Sequence, residues 1–299
     1  MPWKWRNSVR ANEYDVVLIG HFAVDKITTV DGKTVEAHGG AVYYGGLNLA
    51  RQGYRVAVVT RLHRDDFWRL DEVREAGVEV FATEAPESAG MENIFLSQDR
   101  DKRICKTLGF AGGFTLEELP EIDAKMFLVI PILAGEVDLP VLEAIAARGP
   151  TGLDVQGFVR FAEADDVVFR DWPEKATGLR SVRYLKVDDT EAEVLTGLTD
   201  LREAARALAE LGPKEIVLTH KKGVLVYANG SFHEGAFTPK LVLGRTGRGD
   251  TCFTTYCARR LTADPVEACQ YAAAVTSLKM EAPGPFNRTM KEVEEKLRT

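Results

Sequence analysis

The sequence predicts an α/β fold whose central sheet is mainly parallel and covered by helices on both faces. Short, continuous apolar runs of strand length recur along the chain, as strands buried on both sides do. Helical stretches separate them, which makes βαβ units. Two hairpin-like segments interrupt that alternation and ask for a second, smaller sheet.

In order, the first strand is Asp15-Val-Val-Leu-Ile19, closed by Gly20. A helical stretch over 47–53, a strand over 55–60, a helix over 67–75 and a strand over 78–82 follow. Later strands fall at Met126-Phe-Leu-Val-Ile130, 182–187 and Glu215-Ile-Val-Leu-Thr219, with helices over 139–148, 191–196 and 201–211. The exceptions are 27–37, with the turn Asp31-Gly32, and 91–108, where Asp99 to Lys102 separates Asn93-Ile-Phe-Leu-Ser97 from Arg103-Ile-Cys-Lys-Thr107. Inserted after the first and third strands, these hairpins would form a small β lid, over about 21–38 and 88–110, beside the carboxyl ends of the parallel strands. Edge hairpins with no role at the site are the plainer alternative. No repeat, low-complexity tract or linker divides the chain, so 1–299 is expected to be one main domain carrying that lid.

The balance of 38 Lys and Arg against 45 Asp and Glu gives a net charge of -7, which argues against general binding to nucleic acid or anionic membranes. A phosphate ligand would need a local site. No apolar stretch reaches the roughly 20 residues of a membrane span, and the basic start, Met1 to Asn12, is not followed by an apolar signal region. A cytoplasmic protein is expected. Cys105, Cys252, Cys257 and Cys269 have no CxxC spacing and read as reduced core thiols, and the five histidines lack ligand spacing. Walker-type, HExxH, GxSxG and GxGxxG motifs are absent.

The segment that carries chemistry is Gly244-Arg-Thr-Gly-Arg-Gly-Asp-Thr251. It runs into a helix in which Phe253, Tyr256, Cys257 and Leu261 fall at helical spacing. Gly247 and Gly249 allow close backbone approach, and the first-turn amides with the helix dipole make an anion site. Asp250 would there either accept the proton of a hydroxyl attacking a phosphoryl group or simply cap the helix.

Three more patches extend the pattern: Gly20-His-Phe-Ala-Val-Asp25 after the first strand, Gly39-Gly40-Ala41 opening the next helix, and Thr219-His-Lys-Lys-Gly223 after a late strand. In order and placement, over about residues 14–285, they resemble the ribokinase (PfkB) family of small-molecule kinases, marked by a GAGD motif after a DT dipeptide, an amino-terminal diglycine and an NxxE patch. The resemblance implies a ribokinase-like three-layer fold with a small inserted β lid, and a phosphotransferase with an alcohol group as acceptor. It makes Asp250 the general base, with amides of Gly247, Arg248 and Gly249 on the transferred phosphoryl group. Asp25, Gly39 and Gly40 would hold acceptor hydroxyls. Lys186, Asp188, Thr219, Lys221 and Gly223 would line the ATP phosphates and ribose, Glu191 with Asp188 would hold magnesium through water, and a loop from Ala274 to Gly284 would flank the adenine.

This chain departs from the family pattern in four places. Arg248 replaces the alanine of GAGD, Gly244-Arg245 replaces the DT on which a monovalent-cation site depends, Asp188 replaces the asparagine of NxxE, and Tyr44 stands where ribokinases carry a sugar-binding asparagine. Leu153-Asp-Val-Gln-Gly-Phe-Val-Arg160 places Asp154, Gln156 and Arg160 after a strand, similar to the DxNxR segment of members acting on acids and hexoses. With Arg170-Asp-Trp172 and the GRTGRGDTC run, it looks like an inositol (cyclitol) kinase subgroup. The expected function is an ATP-dependent, magnesium-assisted kinase of a small polyol such as myo-inositol, acting as a monomer or homodimer. The alternatives are a sugar, sugar-acid or nucleoside kinase, for which Tyr43, Tyr44 and Phe95 could offer an aromatic platform, or a silent ligand-binding protein of this fold.

Overall fold

The structure, a computed structural model, describes residues 13–96 and 103–298. Its larger sheet has nine strands in the order β15 (Ser231–Ala236), β14 (Gly223–Ala228), β13 (Glu215–His220), β12 (Tyr184–Asp188), β9 (Thr151–Asp154), β8 (Phe127–Val129), β1 (Val16–Ile19), β4 (Val56–His63) and β5 (Glu79–Ala85). All neighbours from β13 to β5 pair in parallel, and β14 and β15 add an antiparallel hairpin at one edge. The chain builds outward from β1 through β4 on one side and from β8 on the other, so the strand order reverses there. Carboxyl ends beside such a reversal open a crevice.

Each buried strand serves two cores. In β1, Val16 and Leu18 enter one layer and Val17 and Ile19 the other, the period-2 alternation of a strand covered on both faces. The first layer contains α1 (Ala41–Arg51), α2 (Asp71–Glu75), α8 (Arg248–Arg259) and α9 (Pro265–Met280), with α10 (Met290–Leu297) packed on α9. The second contains α3 (Leu139–Ala146), α4 (Gln156–Val159), α6 (Asp189–Thr196) and α7 (Leu201–Glu210), with α5 (Lys175–Gly178) against α3.

Helix starts separate structural from site-facing helices. α3, α6, α7, α9 and α10 begin at Asp138, Asp188, Asp200, Asp264 and Thr289, whose side chains accept first-turn amides. α1 and α8 begin instead at Gly40 and Gly247, with φ of 86° and 77° and no side-chain cap. That leaves the amides of Gly249 and Asp250 in the first turn of α8 without a side-chain cap or a carbonyl partner among the described residues.

The second sheet has six strands, in the order β10 (Arg160–Glu163), β11 (Asp166–Phe169), β7 (Arg103–Gly109), β6 (Gly90–Phe95), β2 (Ala23–Thr28) and β3 (Thr34–Gly39). The hairpin segments read from sequence lie side by side in it, β2 beside β6 in parallel; the turn at Asp99 to Lys102 lies outside the described residues. Several details differ from the sequence reading. The helix placed over 47–53 starts at Ala41, and the one over 67–75 is a 3-10 stretch, Arg64–Leu70, that runs into α2. The hairpins β10–β11 and β14–β15 were not anticipated. Cys252, Cys257 and Cys269 are buried thiols, whereas Cys105 on β7 is only partly buried. No helix among the described residues is long and apolar enough to cross a membrane.

Candidate active site

A cavity of about 280 Å³ opens where the ends of β12 and β13 and the start of α8 meet the smaller sheet. Asp25, Gly40, Tyr44, Gln156, Arg160, Lys186, Asp188, Thr219 and the run Gly247 to Asp250 all line it, although they are scattered over more than two hundred positions of sequence.

One end is lined by carboxylate and amide side chains. Asp25 on β2 takes the amide of Met91 on β6 through Oδ1 at 2.9 Å, so its carboxylate is fixed by the smaller sheet. Gly39 is required behind it, because a Cβ there would overlap the Asp25 carboxylate, and a Cβ at Gly40 would overlap the His21 carbonyl. Asn93 on β6 and Gln156 at the start of α4 complete this end.

The middle is a buried charge network. Lys186, 4% exposed on β12, reaches Asp154 Oδ1 at 3.0 Å and Glu191 Oε2 at 3.2 Å. Arg160 donates to Glu191 Oε1 at 3.1 Å, and the Asp188 amide donates to Glu191 Oε2 at 2.8 Å. Burial works against the Lys186 ammonium, but Asp154, Glu191 and Asp188 together hold its pKa above the ordinary range. Burial raises Asp154 and Glu191. These two carboxylates therefore sit behind Lys186 and are not cavity walls. With both oxygens of Glu191 engaged, it does not fit as a direct metal ligand; Asp188, whose Oδ1 caps α6, is the member of the pair that lines the cavity. Among the described residues no three His, Cys, Asp or Glu side chains cluster to hold a metal.

The other end is built for anions. The turn into α8 is tight: the Arg248 amide donates to the Arg245 carbonyl at 3.0 Å and the Thr251 amide to the Gly247 carbonyl at 2.9 Å. This corrects the expectation for Arg248, whose amide is spent inside the turn; the amides of Gly249 and Asp250 have no carbonyl partner among the described residues. A Cβ at Gly249 would lie 3.8 Å from Lys186 Nζ, which puts that ammonium beside the helix start. A Cβ at Gly247 would overlap the ring of Tyr44, so Tyr44 is a wall closing the turn. Asp250 faces the cavity, and burial raises its pKa while Lys186, Arg160 and Lys279 oppose the shift.

The two glycine-started helices are joined behind the cavity. Asn48 of α1, fully buried, donates through Nδ2 to Thr255 Oγ1 at 2.8 Å and Thr254 Oγ1 at 3.2 Å of α8. Gly45 on α1 lets the helices approach, since a Cβ there would lie 2.8 Å from the Thr254 methyl.

Some predicted residues lie elsewhere. Lys221 is exposed in the β13–β14 turn, and Gly223 is needed because a Cβ would strike the Gly235 carbonyl of β15. Ala274 is inside α9 and not in a loop, and Gly284 follows that helix with φ of 79°. Neither lines the cavity. Conversely, Asn93, Cys105, Ile132, Arg245 and Thr246 line it without having been singled out. Arg245 and Thr246 lay within the octapeptide, and Asn93 and Cys105 within the second hairpin; Ile132 carried no signal.

A carboxylate between a hydroxyl-binding pocket and uncapped helix amides is an arrangement for phosphoryl transfer. No family model matches the chain. It is 28% identical over 266 residues to the cytidine kinase of Thermococcus kodakarensis, covering 85% of this chain and 91% of that one. A pyrophosphate-dependent kinase in the ribokinase family, solved with a pyrophosphate analog and myo-inositol, is 34% identical, covers 94% of this chain and 99% of its own, and superposes with a TM-score of 0.86. The ribokinase of Arabidopsis thaliana, solved with ribose and ATP, shares the fold at 20% identity with a TM-score of 0.75, covering 96% and 99% of the two chains. The chain belongs to the ribokinase family. It is a kinase, a phosphotransferase acting on a hydroxyl group.

Proposed function

We propose that this kinase phosphorylates a hydroxyl of a small polyol, myo-inositol or a related cyclitol, with Asp250 as general base. The observation that carries this reading is the placement of Asp250 between a polar pocket of Asp25, Asn93 and Gln156 and the amides that open α8. A cyclitol offers hydroxyl groups alone, which carboxylate and amide side chains can meet. Of the aromatic residues that could serve a nucleobase, Tyr43 donates to Glu72 at 2.8 Å and Phe95 is not on the cavity wall, which leaves Tyr44, packed on Gly247, as one aromatic wall. Arg160 lines the cavity with one guanidinium nitrogen held by Glu191, so a sugar acid's carboxylate would compete with Glu191 for it. The resemblance to a kinase solved with myo-inositol supports the same acceptor.

In this reading the Asp250 carboxylate takes the acceptor proton as the hydroxyl attacks the terminal phosphorus. The amides of Gly249 and Asp250, with Lys186 beside them, stabilise the charge on the transferred group. ATP with magnesium is the donor expected from sequence. Magnesium would screen donor phosphate charge, with Asp188 holding it through water and Glu191 behind. A second donor, pyrophosphate, is favoured by a specific feature: Arg245 and Arg248 line the cavity, whereas Ala274 and Gly284, the expected adenine neighbours, do not. The pyrophosphate-dependent relative points the same way.

The test is a matrix of donors, ATP and pyrophosphate, against myo-inositol, scyllo-inositol, ribose, fructose and cytidine, followed by phosphorus NMR. Transfer to an inositol with either donor is the expected result. Preferential transfer to cytidine or a sugar would replace the acceptor assignment, and no acceptor-dependent loss of donor would leave a silent binder.

A further inference from the structure

Between β15 and α8 the chain runs through Lys240-Leu-Val-Leu-Gly-Arg-Thr-Gly-Arg-Gly249, without a carboxylate. This loop shapes the phosphoryl site and is stitched to the end of α9. The amides of Leu243 and Gly244 donate to the Met280 carbonyl at 2.9 and 3.0 Å, and Gly244 lies so close to the Ala282 carbonyl that a Cβ would overlap it. Peptide amides meet the loop carbonyls of Arg245 and Gly247, but among the described residues no backbone amide meets those of Gly244 and Thr246. Lys279 does. Its side chain is 1% exposed, and Nζ donates to the Gly244 carbonyl at 3.2 Å and to the Thr246 carbonyl. The face of Tyr44 lies 5.4 Å from the same ammonium.

This is an unusual use of a buried lysine. Among the described residues Lys279 forms no salt bridge, and burying an ammonium without a paired carboxylate is costly unless something compensates. Burial pushes its pKa down to about 8, against the pull of Asp250, so it remains largely charged at neutral pH. The compensation comes from carbonyl oxygens and a π face, the surroundings in which proteins dehydrate potassium-sized ions. By fixing the Thr246 carbonyl, the ammonium sets the residue before Gly247, and Gly247 in turn aims the α8 amides.

We propose that Lys279 is a built-in cation of the phosphoryl site, a positioning residue that holds the carbonyls of Gly244 and Thr246 so that the enzyme needs no dissolved monovalent cation. It rests on the reading of Gly247 to Asp250 as the phosphoryl site. The proposal predicts that removing the ammonium creates a vacancy which an ion of similar size can fill.

The experiment compares wild type with Lys279→Met at constant ionic strength in tetramethylammonium, lithium, sodium, potassium and ammonium salts. Turnover is measured with the donor and acceptor found above, and pyrophosphate binding by calorimetry. Wild type should hold kcat/KM and pyrophosphate affinity within about twofold in every salt. Lys279→Met should lose about a hundredfold in kcat/KM in tetramethylammonium, the scale of one lost electrostatic contact at a transition state. Potassium or ammonium should restore at least about tenfold of it, and lithium should not. Strong stimulation of wild type by potassium overturns the proposal, as does a folded variant that no salt rescues. If Lys279→Met folds only with potassium or ammonium, that supports the proposal; failure to fold in every salt overturns it. A wild type that transfers phosphoryl to no acceptor would refute the kinase reading, while the calorimetric comparison still decides the cation.

Discussion

At the scale of residues, Asp250 is the proposed base, and its protonation is set by its surroundings. Burial raises its pKa and three cations oppose that, so the acid limb of kcat/KM lies above the ordinary carboxylate range. Replacing Lys186 by Met removes one opposing charge and moves that limb to still higher pH. Asp250→Asn should keep donor affinity while turnover falls by about two to four decades, the span for losing a general base; pH profiles and calorimetry check both, and near wild-type turnover would remove the assignment. Asp250 and its glycines were legible because their signal is local, eight consecutive residues entering a helix. The fate of the Arg248 amide was not, because it depends on a turn that closes on Arg245. Asn93 and Cys105 face the cavity only because of strand register in the smaller sheet, which no local pattern records.

At the scale of elements, parallel strands were read from their apolar runs, and the helices with polar faces followed. The end of α9 has no helical signature in the sequence because the helix is buried on most sides, which erases the one-sided apolar stripe that marks a surface helix. The junction of β1 and β8 rests on another side chain with no sequence signal. Glu136, fully buried, accepts the amides of His21 at 2.5 Å and Ile132 at 2.8 Å, tying the ends of two neighbouring strands beside the cavity. Burial lifts its pKa to about 8, above the value it would have in the unfolded chain. The protonated form is thus favoured by folding, and that contribution to stability, complete below the ordinary value of 4.5, is lost progressively up to about pH 8 and does not change above it. Thermal melting from pH 5 to 10 should show Tm falling more steeply for wild type than for Glu136→Gln up to about pH 8, with the two curves parallel above it; curves parallel throughout would place the ionisation elsewhere.

At the scale of the whole molecule, both sheets line the cavity, and in the proposed function the acceptor would lie against the six-stranded sheet and the donor against the nine-stranded sheet and its helices. We propose that the smaller sheet closes as a lid. Hydrogen exchange in β2, β3, β6 and β7 should then slow when acceptor and a donor analog are both present, with β12 and β13 unchanged; equal protection everywhere would argue for a static sheet. A chain of net charge -7 nevertheless gathers Lys186, Arg245 and Arg248 on the wall of this cavity. The polar seam of Asn48 with Thr254 and Thr255 has a different consequence. It clamps together the two helices whose starts face the acceptor and the donor, so the span between them behaves as a caliper with its jaws locked. Closing a lid can exclude water and press the acceptor home, but it cannot widen that gauge. In the proposed function, the acceptor is therefore measured in part by side chains that never touch it.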